Sequence, residues 1–264
     1  MQPKTEEFLY MLLWTLDKAM RPTFRNLHES YEGWAYRNGF LRQVDKLATQ
    51  GFLERRGGTE RDVRLYRLTE RGRLHALGGR DPVREWGRRW DGRWRMVLFD
   101  IGEDQSAQRD KLRRYLRARF FGYLQHSVWV SPHPLETEQA ALKGAVINVE
   151  SLILLEAQPA AGESDQEIVL GAWDFAEINK RYAAVLKILE DRPREPLDDS
   201  GAAKRLKEWA RRERAAWSKA VAFDPLLPRS LWPRGYLGER VWKKRVKSFQ
   251  GIAQQLAGFG DEAA

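Results

Sequence analysis

The chain has 264 residues, with 46 Lys and Arg against 37 Asp and Glu, a formal net charge of +9, and no cysteine. Its 42% hydrophobic content, including 11 Trp, 11 Phe and 8 Tyr, is enough for sizeable cores and excludes disorder over most of the length. The missing cysteines exclude disulfides, thiolate-held zinc, iron–sulfur clusters and thiol catalysis, while no 18-residue apolar run and no signal-peptide pattern occur, so the expectation is a cytoplasmic, basic protein that meets a polyanion and spans no membrane.

The charge is uneven. Residues 1–90 carry 18 basic and 12 acidic side chains, residues 91–195 carry 14 and 17, and residues 196–264 carry 14 and 8. Breaker clusters fall near the same cuts, at Gly78-Gly79-Arg80-Asp81-Pro82 and at Arg192-Pro193-Arg194-Glu195-Pro196. Three domains are therefore expected: 1–80, 90–173 and 175–264.

In the first, Phe8, Leu9, Leu12, Leu13 and Leu16 share one face of a helix over residues 5–20. A short helix over 23–30 and a third over 38–50 follow, the last with Leu41, Val44 and Leu47 inward and Gly51 as its stop. Phe52-Leu53-Glu54-Arg55 reads as a strand, Gly57-Gly58-Thr59-Glu60 as a turn, and Val63 to Leu68 as the returning strand. Thr69-Glu70-Arg71-Gly72 then opens another helical turn. Three helices and a β-hairpin make a winged helix-turn-helix pattern. Its recognition helix turns the apolar stripe inward and leaves Asn38, Arg42 and Lys46 outward with Gln43 on a flank, residue types that pair with guanine or adenine edges. The wing carries Arg55, Arg56, Arg61 and Arg64, suited to phosphate or minor-groove contact. Winged helices also serve as protein-interaction modules, and that alternative stays open.

The middle stretch has the order β-α-β-β-α-β of a ferredoxin-like unit. Its strands are Arg95 to Ile101, Gly122-Tyr123-Leu124, Ser127 to Ser131 and 151–157, and its helices are 106–120 and 135–144. Asp100 ends the first strand, where a carboxylate can hold a divalent ion. A lone carboxylate is a weak Mg²⁺ site, and no metal is expected there. Arg109, Arg113 and Arg117 form an i, i+4 stripe, expected as a solvated face beside an Asp110–Arg114 pair.

Helices are expected over 175–189, with Ile178, Tyr182, Val185, Leu186 and Leu189 inward, and over 202–221, with Leu206, Trp209, Ala210, Trp217 and Val221 inward. Asp224-Pro225-Leu226-Leu227-Pro228 breaks the second. A last helix over 238–256 sets Trp242, Val246, Phe249 and Ala253 on one stripe and Arg240, Lys243, Lys244, Arg245 and Lys247 on a solvated face. The fold class is thus α+β: a winged helix-turn-helix, a ferredoxin-like centre and a helical C-terminal domain.

Several landmarks together resemble the PaaX family of bacterial transcriptional regulators. They are Gly51-Phe52-Leu53, Tyr66-Arg67-Leu68-Thr69-Glu70-Arg71-Gly72, Trp90-Asp91-Gly92-Arg93-Trp94, Gly122-Tyr123-Leu124 with Ser131-Pro132, and Asp224-Pro225-Leu226-Leu227-Pro228 with Leu231-Trp232-Pro233 and Trp242. The resemblance covers nearly the whole chain in order. It implies a winged helix that binds a palindromic operator in double-stranded DNA as a homodimer, and a centre similar to the ferredoxin-like nucleases of CRISPR adaptation. It also implies a repressor relieved by a CoA thioester such as phenylacetyl-CoA. The family's recognition helix carries an Arg where Leu41 stands, and its wing tip differs from Thr59-Glu60-Arg61-Asp62, so the base preference is expected to differ. The expectation is a regulator, not an enzyme, with no bound cofactor beyond an acyl-CoA effector. The alternatives are a metal-dependent nuclease acting through Asp100 and a DNA-binding module without a small-molecule switch.

Overall fold

The structure is a computed structural model that describes residues 46–56, 65–102, 105–135, 142, 151–160, 162–195 and 200–258. The helices expected over 5–20 and 23–30, most of that over 38–50, the turn at 57–60 and the helix over 135–144 apart from Leu135 and Leu142 lie outside these residues.

The described elements run as follows. After the end of a helix at residues 46–49 come β1 (Leu53–Arg56), β2 (Leu65–Leu68), α1 (Glu70–Ala76) and α2 (Pro82–Trp86). Then come β3 (Trp94–Asp100), α3 (Ser106–Ala118), β4 (Gly122–Gln125), β5 (Val128–Ser131) and β6 (Ser151–Ala157). The chain continues through α4 (Asp165–Ala172), α5 (Phe175–Glu190), α6 (Ser200–Phe223), a 3-10 turn at Arg229–Leu231 and α7 (Gly238–Gly258). The mixture of helices and antiparallel sheets is α+β. No described helix is long and apolar enough to cross a membrane.

The described residues divide into two compact units. One holds those up to Asp81 together with Arg181–Ala220 and those from Leu237 onward; the other holds Pro82–Lys180 and Val221–Tyr236. The cut at Asp81 falls in the breaker cluster seen in the sequence. The C-terminal helices contribute to both units, because the divisions fall inside α5 and α6.

In the second unit, β4-β5-β3-β6 form an antiparallel sheet in that order. The first strand in sequence therefore lies between the third and the fourth. Alternation along β3 sends Val97 and Phe99 to one face, where they meet Leu112 and Leu116 of α3, Trp129 of β5 and Leu142 in the core. Leu142 comes from the expected second helix, so this residue at least packs on the same face as α3.

Trp94, Met96 and Leu98 point to the opposite face. There α4 covers one end. Its start is fixed by a capping box, in which Ser164 Oγ accepts from Glu167 N–H while Glu167 Oε2 accepts from Ser164 N–H. Trp94 Nε1 donates to Asp165 Oδ1 at 2.8 Å. A Cβ at Gly122 would lie 2.6 Å from Ala172 Cβ and 2.7 Å from the Trp173 ring, so only glycine lets α4 lie this close to β4. Ile153 and Leu155, which pair with Leu98 and Met96, remain 54% and 45% exposed on this face.

In the first unit, α5 buries Tyr182, Val185 and Leu189, and α6 buries Trp209, Glu213, Trp217 and Ala220. The stripe of α7 differs from expectation. Val241, Arg245, Phe249 and Ile252 are buried, and Trp242 and Val246 are only half-buried. Arg245 belongs to the core, not to the solvated face. It donates to Glu213 Oε1 at 2.7 Å, both side chains being 0% exposed, and its guanidinium lies 4.5 Å from the Trp217 ring centroid and 5.5 Å from that of Phe249. A charge is tolerated inside because a carboxylate and aromatic faces surround it.

Candidate nucleic-acid interface

The base of the hairpin is built from the ends of three elements. Lys46 lies in the last helical turn before Gly51, and its backbone carbonyl accepts from Gln50 N–H at 3.0 Å. Gly51 takes φ +73°, and the N–H groups of Gly51 and Phe52 return to the carbonyls of Ala48 and Leu47. This is a Schellman stop, closed by the buried pair Leu47 and Phe52. The turn feeds directly into β1, which pairs with β2 in the register Leu53↔Leu68 to Arg56↔Leu65. Across the pair, Arg67 Nε lies 3.5 Å from Glu54 Oε1.

Thr69 ties α1 to this base. Its hydroxyl donates to Gly51 O at 2.8 Å and accepts from Gly72 N–H at 3.0 Å, so one side chain caps α1 and holds the turn. Gly72 is pressed against the same strand: a Cβ there would lie 2.2 Å from Phe52 O. Arg71 stacks over the Phe52 ring at 4.9 Å, and His75 lies 5.1 Å from it on centroids.

Of the residues expected to contact DNA, the structure brings Lys46, Arg55 and Arg56 into one continuous piece, Lys46 in the last helical turn and the two arginines ending β1. Lys46 is half-buried. Asn38, Arg42, Gln43, Arg61 and Arg64 lie outside the described residues. Asp100, the metal candidate, is exposed at the end of β3, opposite Ser151. No group of three or more His, Cys, Asp or Glu among the described residues is placed to hold a metal ion.

The second unit opens on a clasp. Arg95 donates to both Asp91 oxygens, at 2.7 and 2.5 Å, and to Glu156 of β6 at 3.2 Å. Arg93 adds a bond to Glu156 at 3.0 Å. The hydrogen bond from Arg95 holds the Asp91 carboxyl at a pKa of about 2, below the usual carboxylate range. Gly92 supplies the φ of +79° that turns the chain between the two.

Residues 87–169 match the model of the PaaX protein central Cas2-like domain. The transcriptional repressor PaaX of Escherichia coli strain K12 is 26% identical over 245 residues, which cover 88% of this chain and 74% of that protein. The chain is thus similar to PaaX over most of its length and carries a PaaX-type central domain over residues 87–169. An uncharacterized protein of Mycobacterium tuberculosis superposes with a TM-score of 0.53 at 20% identity, over 95% of this chain and 96% of the other, which is a likeness of fold.

The motifs that carried the family resemblance are, in physical terms, clamps. Trp90-Asp91-Gly92-Arg93-Trp94 fastens β3 to β6 and α4 through the bonds just described. Asp224-Pro225-Leu226-Leu227-Pro228 closes a second knot: Asp224 accepts from Leu226 N–H at 2.8 Å and from the Tyr236 hydroxyl, which in turn accepts from Trp86 Nε1 at 3.0 Å. The Trp232 and Tyr236 rings meet at a tilt with centroids 5.1 Å apart, and Trp232 Nε1 donates to Leu227 O. Sequence periodicity missed α2 and α4. The signals were present, as Pro82 at a first helical position and Ser164-x-x-Glu167 as a capping box.

Proposed function

We propose that this chain is a sequence-specific, DNA-binding transcriptional regulator, a homodimeric repressor acting in the cytoplasm on a palindromic operator. The observation that carries the reading is the similarity to the transcriptional repressor PaaX over 88% of the chain. The Schellman stop, the hairpin base and the Thr69 cap agree with a winged helix-turn-helix, the stop aligning the recognition helix with its wing. The strand order β4-β5-β3-β6 is the one a ferredoxin-like unit produces, with the first strand between the third and fourth.

In this reading Asn38, Arg42, Gln43 and Lys46 face the major groove, and Arg55, Arg56, Arg61 and Arg64 meet phosphates or the minor groove. Dimerisation is supported by β6, which among the described residues has a strand neighbour on one side only and carries the exposed Ile153 and Leu155. A twofold axis lets such a strand pair with its own copy. An acyl-CoA such as phenylacetyl-CoA, bound outside the winged helix, would favour a dimer whose half-site spacing no longer matches the operator.

Footprinting on DNA upstream of the chain's own gene and of neighbouring operons tests this. A protected palindrome is expected, with Arg42→Ala weakening specific binding by about 1–3 kcal/mol and Lys46→Ala lowering affinity evenly across sequences. Variants that bind as the parent does would remove these residues from the interface, and phenylacetyl-CoA that leaves operator affinity unchanged would remove the effector.

A further inference from the structure

The acidic middle of the chain hides a cationic helix. Between residues 91 and 195 there are 14 basic side chains, and six of them, Arg109, Lys111, Arg113, Arg114, Arg117 and Arg119, fall within 109–119 beside a single acid, Asp110. The rest of that stretch carries 8 basic against 16 acidic groups. Such segregation is more than a mixed solvated face produces.

The structure divides these groups further. Leu112 and Leu116 are buried in the core, which leaves Arg109, Arg113 and Arg117 along one flank of α3, the flank toward β5. Their i, i+4 spacing sets successive guanidiniums roughly 6 Å apart along the helix. Arg109 and Arg113 are half-buried, and their Nε–H groups are shut off from solvent and meet no acceptor among the described residues. Among the described residues none of the three has a carboxylate partner. Arg117 lies over the Trp129 ring at 5.7 Å, and Tyr123, 45% exposed on the edge strand β4, packs edge-on to Trp129 at 5.2 Å. The expected Asp110–Arg114 pair is replaced by a bond from Arg114 Nε to the Asp110 backbone carbonyl.

We propose that Arg109, Arg113 and Arg117 form a second DNA-contacting surface, seating the phosphate backbone of duplex DNA outside the stretch read by the winged helix. The inference rests on the DNA-binding reading above and adds a site to it. A single small anion needs convergent donors, whereas these three are strung in a line about 12 Å long, the pattern of a strand's successive phosphates. Half-buried stems and the Trp129 stack hold the guanidiniums in place, so little side-chain freedom is lost on binding, and each presents a fork that matches a phosphate. The contact reads no bases.

The test is the salt dependence of duplex binding by the full-length chain. It uses DNA from immediately upstream of its own gene and a scrambled duplex of equal length. Changing all three to Gln should make the slope of log affinity against log salt shallower by roughly 2–3, because each phosphate contact contributes about 0.9. Affinity for both duplexes should fall by on the order of tenfold or more, with the protected sequence unchanged. Changing all three to Lys should retain most of the slope, and Lys111→Gln with Arg114→Gln should leave it near the parent's. Unchanged thermal midpoints and circular dichroism show that the variants fold. A parent that binds DNA while the triple Gln variant keeps its slope overturns this inference alone, as does an equal loss in the Lys111/Arg114 variant. A parent that binds neither duplex overturns the DNA-binding reading itself.

Discussion

Glu213 and Arg245 each interrupt a buried stripe that is otherwise apolar, Glu213 within the stripe expected from the sequence and Arg245 where a solvated position was expected. Glu213 falls between Trp209 and Trp217 at steps of four along α6, and Arg245 falls between Val241 and Phe249 along α7. Taking two charges out of water is costly, and the 2.7 Å bond together with the rings of Trp217, Trp242 and Phe249 offsets that cost. Glu213→Ala strands a buried cation and should lower stability by about 3–5 kcal/mol in urea unfolding. Glu213→Leu combined with Arg245→Met should recover most of that loss, since an apolar replacement of similar volume restores packing. A Glu213→Ala variant that loses less than about 1 kcal/mol would show that the pair lies open to water in solution.

At the scale of elements, the meeting of α1 with the hairpin base depends on what is missing at residue 72. The helix start approaches β1 so closely that a methyl group on Gly72 would lie 2.2 Å from Phe52 O, a backbone atom that cannot step aside without moving the strand. Gly72→Ala should therefore cost about 1–3 kcal/mol, as overpacking does, and should weaken DNA binding beyond its effect on folding by shifting the hairpin against the helix end at Lys46. Equilibrium unfolding and duplex titration at a temperature where the variant is fully folded separate the two effects. Full affinity in a folded variant would mean that the hairpin's position does not matter for binding. Gly51-Phe52-Leu53 and Thr69-Glu70-Arg71-Gly72 were legible in the sequence as a stop and a start. Their mutual contact was not, because Thr69 reaches Gly51 across 18 residues of chain.

At the scale of the whole molecule, the apolar pair on β6 is the feature a second copy would cover. Ile153 and Leu155 are exposed on β6, an edge strand among the described residues, with no charged side chain between them, the arrangement that monomeric proteins avoid. Light scattering should find a dimer for the parent and a monomer for Ile153→Asp with Leu155→Asp, with the operator affinity of the monomer falling steeply as the two half-sites uncouple. A double variant that stays dimeric would move the interface elsewhere, while a monomeric parent would remove the dimer from the functional reading.

The sequence by itself determined what repeats locally. The 3.6-residue stripe of α5, the alternation along β3, the stop at Gly51 and the break at Asp224-Pro225 all follow from side-chain type and spacing, and the structure places each where that pattern puts it. The motifs behind the resemblance were visible too, though not their work as clamps. Tertiary structure decided the rest. It set the packing of α4 on the sheet through the absent Cβ of Gly122, and the rotation of α7 about its axis through Arg245. It also set Arg109, Arg113 and Arg117 on a flank where, among the described residues, no carboxylate pairs with them. In each case the deciding partner is distant in sequence. Local pattern records a residue's preference for water or core, but whether a charge is paired, stacked or left facing solvent depends on groups that only the folded chain brings near.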